Sequence, residues 1–208
     1  MTSVRAQLAL LRPTLPPRAT LLAVTKGQPI EKIREALREG VHHLGVNYVQ
    51  EGEKLRAEIS GVKWHFIGQI QSRKVKFIAR YDRVESVDRL SIAEALNQAC
   101  EGRRLEVLIQ LNIGEEATKG GIAPADLPAF ASAIEKLPNL ECRGLMLLPP
   151  PLFPVEQRAP FFRRAKDLLT TRAAWDALSM GTSEDYEVAL REGSTTVRLG
   201  RVLFGDRA

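Results

Sequence analysis

Hydrophobic positions along the chain keep two periods in turn. Short apolar runs alternate with segments whose apolar residues recur every three or four positions, which reads as strand followed by helix, repeated. The first run, Leu21 to Lys26, ends on a single lysine and meets the breakers Gly27 and Pro29. Residues 29–38 then carry Ile30, Ile33, Ala36 and Leu37 on one helical stripe, with Pro29 at the start and Gly40 as the stop. The pattern predicts further strands at 42–46, 64–67, 83–87, 105–112, 142–148, 177–180 and 195–199. Between them it predicts helices at 48–59, 71–79, 90–100, 124–137, 158–171 and 183–191, before a tail that begins at Phe204-Gly205. Ahead of the first strand, residues 2–12 mix charged and apolar positions as an amphipathic helix does.

Alternating strands and helices imply a parallel sheet, because parallel neighbours need a crossover connection. Eight such units between Leu21 and Gly205 predict a closed (β/α)₈ TIM barrel in a single domain over residues 1–208. An open doubly wound sheet is the alternative, although no Gly-x-Gly-x-x-Gly opens the first helix as a dinucleotide crevice requires.

Composition removes several function classes. A chain of 208 residues that is 44% hydrophobic can bury one substantial core. The net charge of +5, from 30 basic and 25 acidic residues, is spread along the chain, which reads as a solvated surface and not as a nucleic-acid face. Cys100 and Cys142 lie far apart without metal or redox spacing, as buried thiols of a reducing compartment do. No apolar run reaches the ~20 residues that span a bilayer, and the first thirteen residues lack the apolar core of a signal peptide. A soluble, cytoplasmic protein is expected.

Two places carry chemistry. Side chains alternate along a strand, so Lys26 shares a face with Leu22 and Val24 and stands where that face reaches the C-terminal end. Partial burial lowers a lysine pKa and makes the amine a nucleophile able to form a Schiff base; the plainer alternative is a lysine that ends a strand and reaches solvent. In a barrel the active site lies at the C-terminal ends of the strands, and phosphate sites commonly follow the seventh and eighth. There Ser179-Met180-Gly181-Thr182-Ser183 supplies small and hydroxyl residues, and Arg198-Leu199-Gly200-Arg201 supplies a guanidinium and a glycine. A lysine facing a phosphate cradle suggests an aldehyde with a phosphate tail, which pyridoxal 5'-phosphate fits. An ordinary helix cap at Ser183 and an ordinary turn at Gly200 are the plainer alternative.

Motifs spread over nearly the whole chain strengthen this. They include Ala-Val-Thr-Lys at 23–26, Asn-Tyr-Val-Gln-Glu at 47–51, Trp-His-Phe-Ile-Gly at 64–68, Leu-Ser-Met-Gly-Thr-Ser at 178–183 and Gly-Ser-Thr-Thr-Val-Arg-Leu-Gly at 193–200. Together they resemble the YggS/PROSC family of pyridoxal phosphate homeostasis proteins. The resemblance implies a barrel like the N-terminal domain of alanine racemase, with the cofactor joined to Lys26. It implies that Arg198 faces the pyridine nitrogen, that Ser179, Gly181, Gly200 and the backbone of Arg201 serve the phosphate, and that Asn47 and Met180 flank the ring. Ser194 and Thr195 are further phosphate candidates. Val46 stands where the family usually has glutamate and Thr182 where it often has methionine; Gln69 and the loop 149–154 also depart from the pattern.

Three functions follow from these residues. The first is a monomeric carrier that binds pyridoxal phosphate, takes part in its homeostasis and meets dependent apoenzymes transiently. The second is an amino-acid racemase using the same lysine, and the third a cofactor-free Schiff-base aldolase. Racemisation needs an acid/base on each face of the reacting carbon, and the resemblance assigns none of Tyr48, Tyr81 and Tyr186 to the second face. No enzymatic role and no metal are therefore expected. His65 and the His42-His43 pair read as structural residues, and Phe161-Phe162 as core.

Overall fold

In the computed structural model eight parallel strands close into a barrel in chain order, with the eighth returning to the first. They are β1 (Thr20–Val24), β2 (His43–Val46), β3 (Lys63–Phe66), β4 (Arg83–Val87), β5 (Leu105–Leu111), β6 (Leu140–Leu147), β7 (Ala177–Thr182) and β8 (Thr196–Leu199). Around them lie α1 (Val4–Leu11), α2 (Ile30–Arg38), α3 (Val49–Glu58), α4 (Val75–Ile78), α5 (Leu90–Ala99), α6 (Leu127–Ile134), α7 (Ala159–Thr170), α8 (Tyr186–Arg191) and α9 (Arg201–Phe204). The structure describes residues 3–116, 118–150 and 153–205. Residue 2 of the expected first helix and residues 151 and 152 of the sixth loop lie outside the described residues. Among the described residues, no helix is long and apolar enough to cross a membrane.

Strand parity divides the barrel into two cores. Leu44, Val46, Trp64, Phe66, Leu178 and Val197 point outward and are buried against the helices. The helices answer with stripes such as Ile33 and Ala36 of α2 and Phe162, Ala165 and Leu169 of α7. The inner positions are different. Leu108, Met146 and Ala177 form a small separate apolar group, and much of the rest is polar: His43, His65, Glu85, Ser179 and Arg198. A glycine at 45 makes room inside, since a Cβ there would meet Leu22 Cγ at 3.1 Å and Ile67 Cδ1 at 3.2 Å.

Several boundaries differ from the pattern reading. The helix expected over 71–79 is a 3₁₀ turn, Ser72–Lys74, followed by the single turn α4. The strand expected to stop at Met180 runs to Thr182 through Gly181, whose φ of +91° suits a residue without a Cβ. The following helix begins at Tyr186 and not at Ser183, because the Asp185 carboxylate takes the Thr182 N–H at 2.7 Å and holds the intervening turn open. The expected tail contains α9, closed when Lys32 Nζ donates to the Phe204 carbonyl at 2.6 Å.

Candidate functional site

At the C-terminal ends of the strands, loops bring together residues far apart in sequence. Lys26 stands two residues past β1, and its Nζ lies 4.9 Å from the centre of the half-exposed Tyr48 ring, a cation–π contact. Asn47 stands one residue past β2, and its Oδ1 is buried without a hydrogen-bond partner. Its backbone passes so close to the next strand end that a Cβ on residue 68 would fall 1.9 Å from the Asn47 carbonyl oxygen, which explains Gly68. A cleft of about 370 Å³ opens here, lined among others by Asn47, Gln69, Asp88, Gln110, Asn112 and Lys119.

Across the mouth, β7 and β8 end in a cluster of backbone donors. Ser183 Oγ accepts from the N–H groups of Gly200, at 3.3 Å, and Val202, at 3.2 Å. Among the described residues no acceptor takes the Arg201 N–H between them. A Cβ on residue 200 would come no nearer than 3.6 Å to any atom, both neighbours belonging to Val24, and its φ of −113° is open to any residue. Neither packing nor conformation demands a glycine at 200, so the space beside these donors is left for something else. The Arg201 guanidinium turns away to Glu184 Oε1 at 2.8 Å, so this residue offers the site its backbone alone.

Beneath the mouth runs a hydrogen-bonded column. Arg198 is buried; its Nη1 donates to the Ser179 carbonyl at 2.7 Å and the Ser179 Oγ at 2.8 Å, and its Nη2 to the Leu147 carbonyl at 2.7 Å. Ser179 Oγ donates in turn to Glu85 Oε2 at 2.6 Å, and Glu85 Oε1 meets His65 Nδ1 at 2.7 Å. His65 Nε2 lies 3.0 Å from His43 Nδ1. Burial pushes the Glu85 carboxyl up, but His65, Arg198 and the Ser179 hydroxyl together hold it below its ordinary value. Burial lowers Arg198, with Glu85 and Asp185 opposing, and a guanidinium keeps its proton in proteins. An ionised Glu85 only accepts, so both Ser179 and His65 Nδ1 donate to it. Burial, then the charges of His65, Arg83, His42 and Lys63, takes His43 down to about 4.

These positions correct part of the sequence reading. Lys26, Asn47, Gly200 and the Arg201 backbone lie at the C-terminal ends of the strands, with Arg198 buried beneath them. Ser179 does not join the donor cluster, because its hydroxyl is committed to Glu85 and Arg198 inside the barrel. Met180 does not flank the mouth; two positions after the outward Leu178, it is buried in the outer core. Gly181 is needed by the bend of β7, and a Cβ there would meet Ala189 Cβ at 2.6 Å. Ser194 and Thr195 precede β8 and lie at the opposite rim, where Ser194 Oγ donates to the Met180 carbonyl and Thr195 Oγ1 accepts from Leu178 N–H. Ser183, inside the singled-out stretch but not chosen, takes the place expected of Ser179. Glu85 was not foreseen, nor was Asp185, whose other oxygen receives Arg158 Nη1 at 2.8 Å and so ties the sixth loop to α8. His65 and His43 serve the column, and among the described residues no cluster of metal-ligating side chains occurs. Cys100 and Cys142 are free thiols, the second pushed up by burial to about 12.

A parallel eight-stranded barrel with a lysine after its first strand and backbone donors after its last defines a class, and the family model for the alanine racemase N-terminal domain matches residues 1–208. Within that class the chain belongs to the pyridoxal phosphate homeostasis protein family. It is 46% identical, over 90% of its own length and 84% of the relative's, to the pyridoxal phosphate homeostasis protein of Pseudomonas aeruginosa. The structure of PipY from Synechococcus elongatus with PLP bound superposes with a TM-score of 0.89 at 33% identity, covering 98% of this chain and 100% of that one. Alanine racemase of Clostridium difficile, at 17% identity and a TM-score of 0.79, shares the fold, and the match covers 98% of this chain but 56% of the racemase.

Proposed function

We propose that this protein binds pyridoxal 5'-phosphate at the barrel mouth through Lys26 and serves, as a monomer, as a carrier that exchanges the cofactor with dependent apoenzymes. The observation that carries this reading is the convergence of an amine, an inward guanidinium and a backbone donor cluster on one mouth. The unpartnered Asn47 Oδ1 and the open space at Gly200 fit a bound ring with a phosphate tail. The cofactor, when bound, supplies an aldehyde carbon with which a lysine amine condenses reversibly, releasing water. Lys26 is the amine nearest the mouth in this reading, and its Nζ lies over the Tyr48 ring. The Gly200 and Val202 N–H groups hold Ser183 Oγ in place, so the Ser183 hydroxyl proton and the Arg201 N–H are the donors that meet the phosphate, each charge-assisted bond contributing about 1.5–3 kcal/mol. Three of the five guanidinium N–H groups of Arg198 are engaged by Ser179 and Leu147, and of the two that remain the Nε–H is the one this reading assigns to the pyridine nitrogen. A cation there disfavours ring protonation and weakens the ring as an electron sink.

A carrier needs no second base, and this reading assigns none of the three tyrosines to that role. Tyr48 touches Lys26 and so approaches from the same side, Tyr81 is fully buried in the outer core, and Tyr186 Oη donates to Glu187 outside the barrel. General acid/base groups typically supply ~10²- to 10⁴-fold each, so racemisation should fall orders of magnitude below that of a dedicated racemase. The test pairs two measurements on one preparation. Borohydride reduction and peptide mapping should place a pyridoxyl group on Lys26, and the loaded protein should reactivate an apoenzyme in water where alanine keeps its configuration. Label on Lys74 or Lys119, or rapid inversion of alanine without reactivation, would overturn the reading.

A further inference from the structure

The barrel interior holds two buried charges that the proposed function uses only in part. Glu85 is fully buried on β4, and Arg198 on β8 lies on the far side of the Ser179 hydroxyl. An ionised carboxylate in such a place is costly unless its charge is compensated and its lone pairs are taken. Glu85 meets both conditions: one oxygen receives His65 and the other Ser179, and the compensating cation is Arg198, one hydroxyl away. Three acceptors, the Ser179 Oγ, the Ser179 carbonyl and the Leu147 carbonyl, fix the two terminal nitrogens of the guanidinium and so determine which way the Nε–H is aimed.

We infer that Glu85 is a positioning residue: acting through the Ser179 hydroxyl, with His65 holding it from behind, its carboxylate seats the Arg198 fork so that the Nε–H is directed at a ring nitrogen in the mouth. This rests on the proposed function for the identity of the ring, but the seating of Arg198 is a property of the protein itself. The carboxylate is the right group because it accepts from both sides. Glutamine keeps the volume but replaces one acceptor by a donor, so Ser179 and His65 can no longer both donate to it and the buried guanidinium loses its counter-charge. The effect reaches the ligand only through Arg198.

The test uses Glu85→Gln and Ser179→Ala, with Phe162→Leu as an outer-core control that lowers stability without touching the column. In the protein without ligand, ¹⁵N NMR of the arginine side chains should show slowed guanidinium rotation for Arg198, retained in the control and lost in both column variants. With pyridoxal phosphate labelled at its ring nitrogen, both column variants should shift the ¹⁵N resonance and weaken binding about 10-fold or more, while the control changes neither. Unchanged Arg198 rotation, or an unchanged ring ¹⁵N signal in Glu85→Gln beside a simple loss of stability, overturns the inference and leaves Glu85 a packing residue. The two readings fail separately. If the parent chain takes no ligand and no borohydride label on Lys26, the proposed function falls, and the Arg198 rotation still decides the role of Glu85.

Discussion

The two faces of the same strands have opposite characters. Outside, between sheet and helices, Phe66, Phe162, Leu178 and Val197 meet in an apolar layer where any partner of similar volume would serve. Inside, on the alternate residues, His43, His65, Glu85, Ser179 and Arg198 form a column joined by directional hydrogen bonds. The outer core supplies stability through area, and the inner column supplies direction. A strand can do both because its side chains alternate, so a change of one residue in register exchanges the two.

Removing a large side chain from the outer layer gives the greatest expected effect. Phe162→Ala should lower unfolding free energy by about 3–5 kcal/mol in urea, with ligand affinity near that of the parent wherever the variant is folded. An affinity loss matching the stability loss would show that the two cores are not separable. Lys26→Ala should do the reverse. It should abolish the borohydride-stable label while moving the unfolding midpoint little, because Lys26 is partly exposed and its partner is one ring at the surface.

Acid should act on the inner face first. His43 has a folded value near 4 against about 6.5 unfolded, so between these values the unfolded chain binds the proton and the folded one does not. Stability from this group is therefore fully present above about pH 6.5 and is lost as pH falls towards 4. Glu85, held below its ordinary value, adds a loss of the same sign at lower pH. His43→Gln should flatten the upper part of this slope, read as the urea midpoint at a series of pH values, whereas an unchanged slope would assign it to other groups. The smallest effect concerns Gly200→Ala. With 3.6 Å of clearance and a negative φ, the unliganded protein should change by less than about 1 kcal/mol, while affinity for pyridoxal phosphate falls. A stability loss larger than the affinity loss would mean that the open space belongs to the fold.

Most of the fold was legible, because alternating periods and the placement of Gly and Pro are local signals. Lys26 was legible for the same reason, as parity on β1 alone puts it at the mouth. The column was not. His65 and Glu85 are 20 positions apart, and Glu85 and Ser179 are 94 apart, so only closure of the barrel makes them neighbours. Met180 was within reach, since the parity argument used for Lys26 turns it outward once Ser179 is inward. Ser183 was harder: its role depends on Asp185 delaying α8, which frees the serine from capping a helix.

The bond from Lys32 to the Phe204 carbonyl joins residues 172 positions apart and fastens the first strand–helix unit to the last. On a growing polypeptide Lys26 is made early, and the donors at Gly200 to Val202 are made nearly a full barrel later. Until that clasp shuts, the Lys26 amine is present without the groups proposed to recognise its ligand. Loading of the cofactor would then report that synthesis has passed β8 and that the ring of strands is closed.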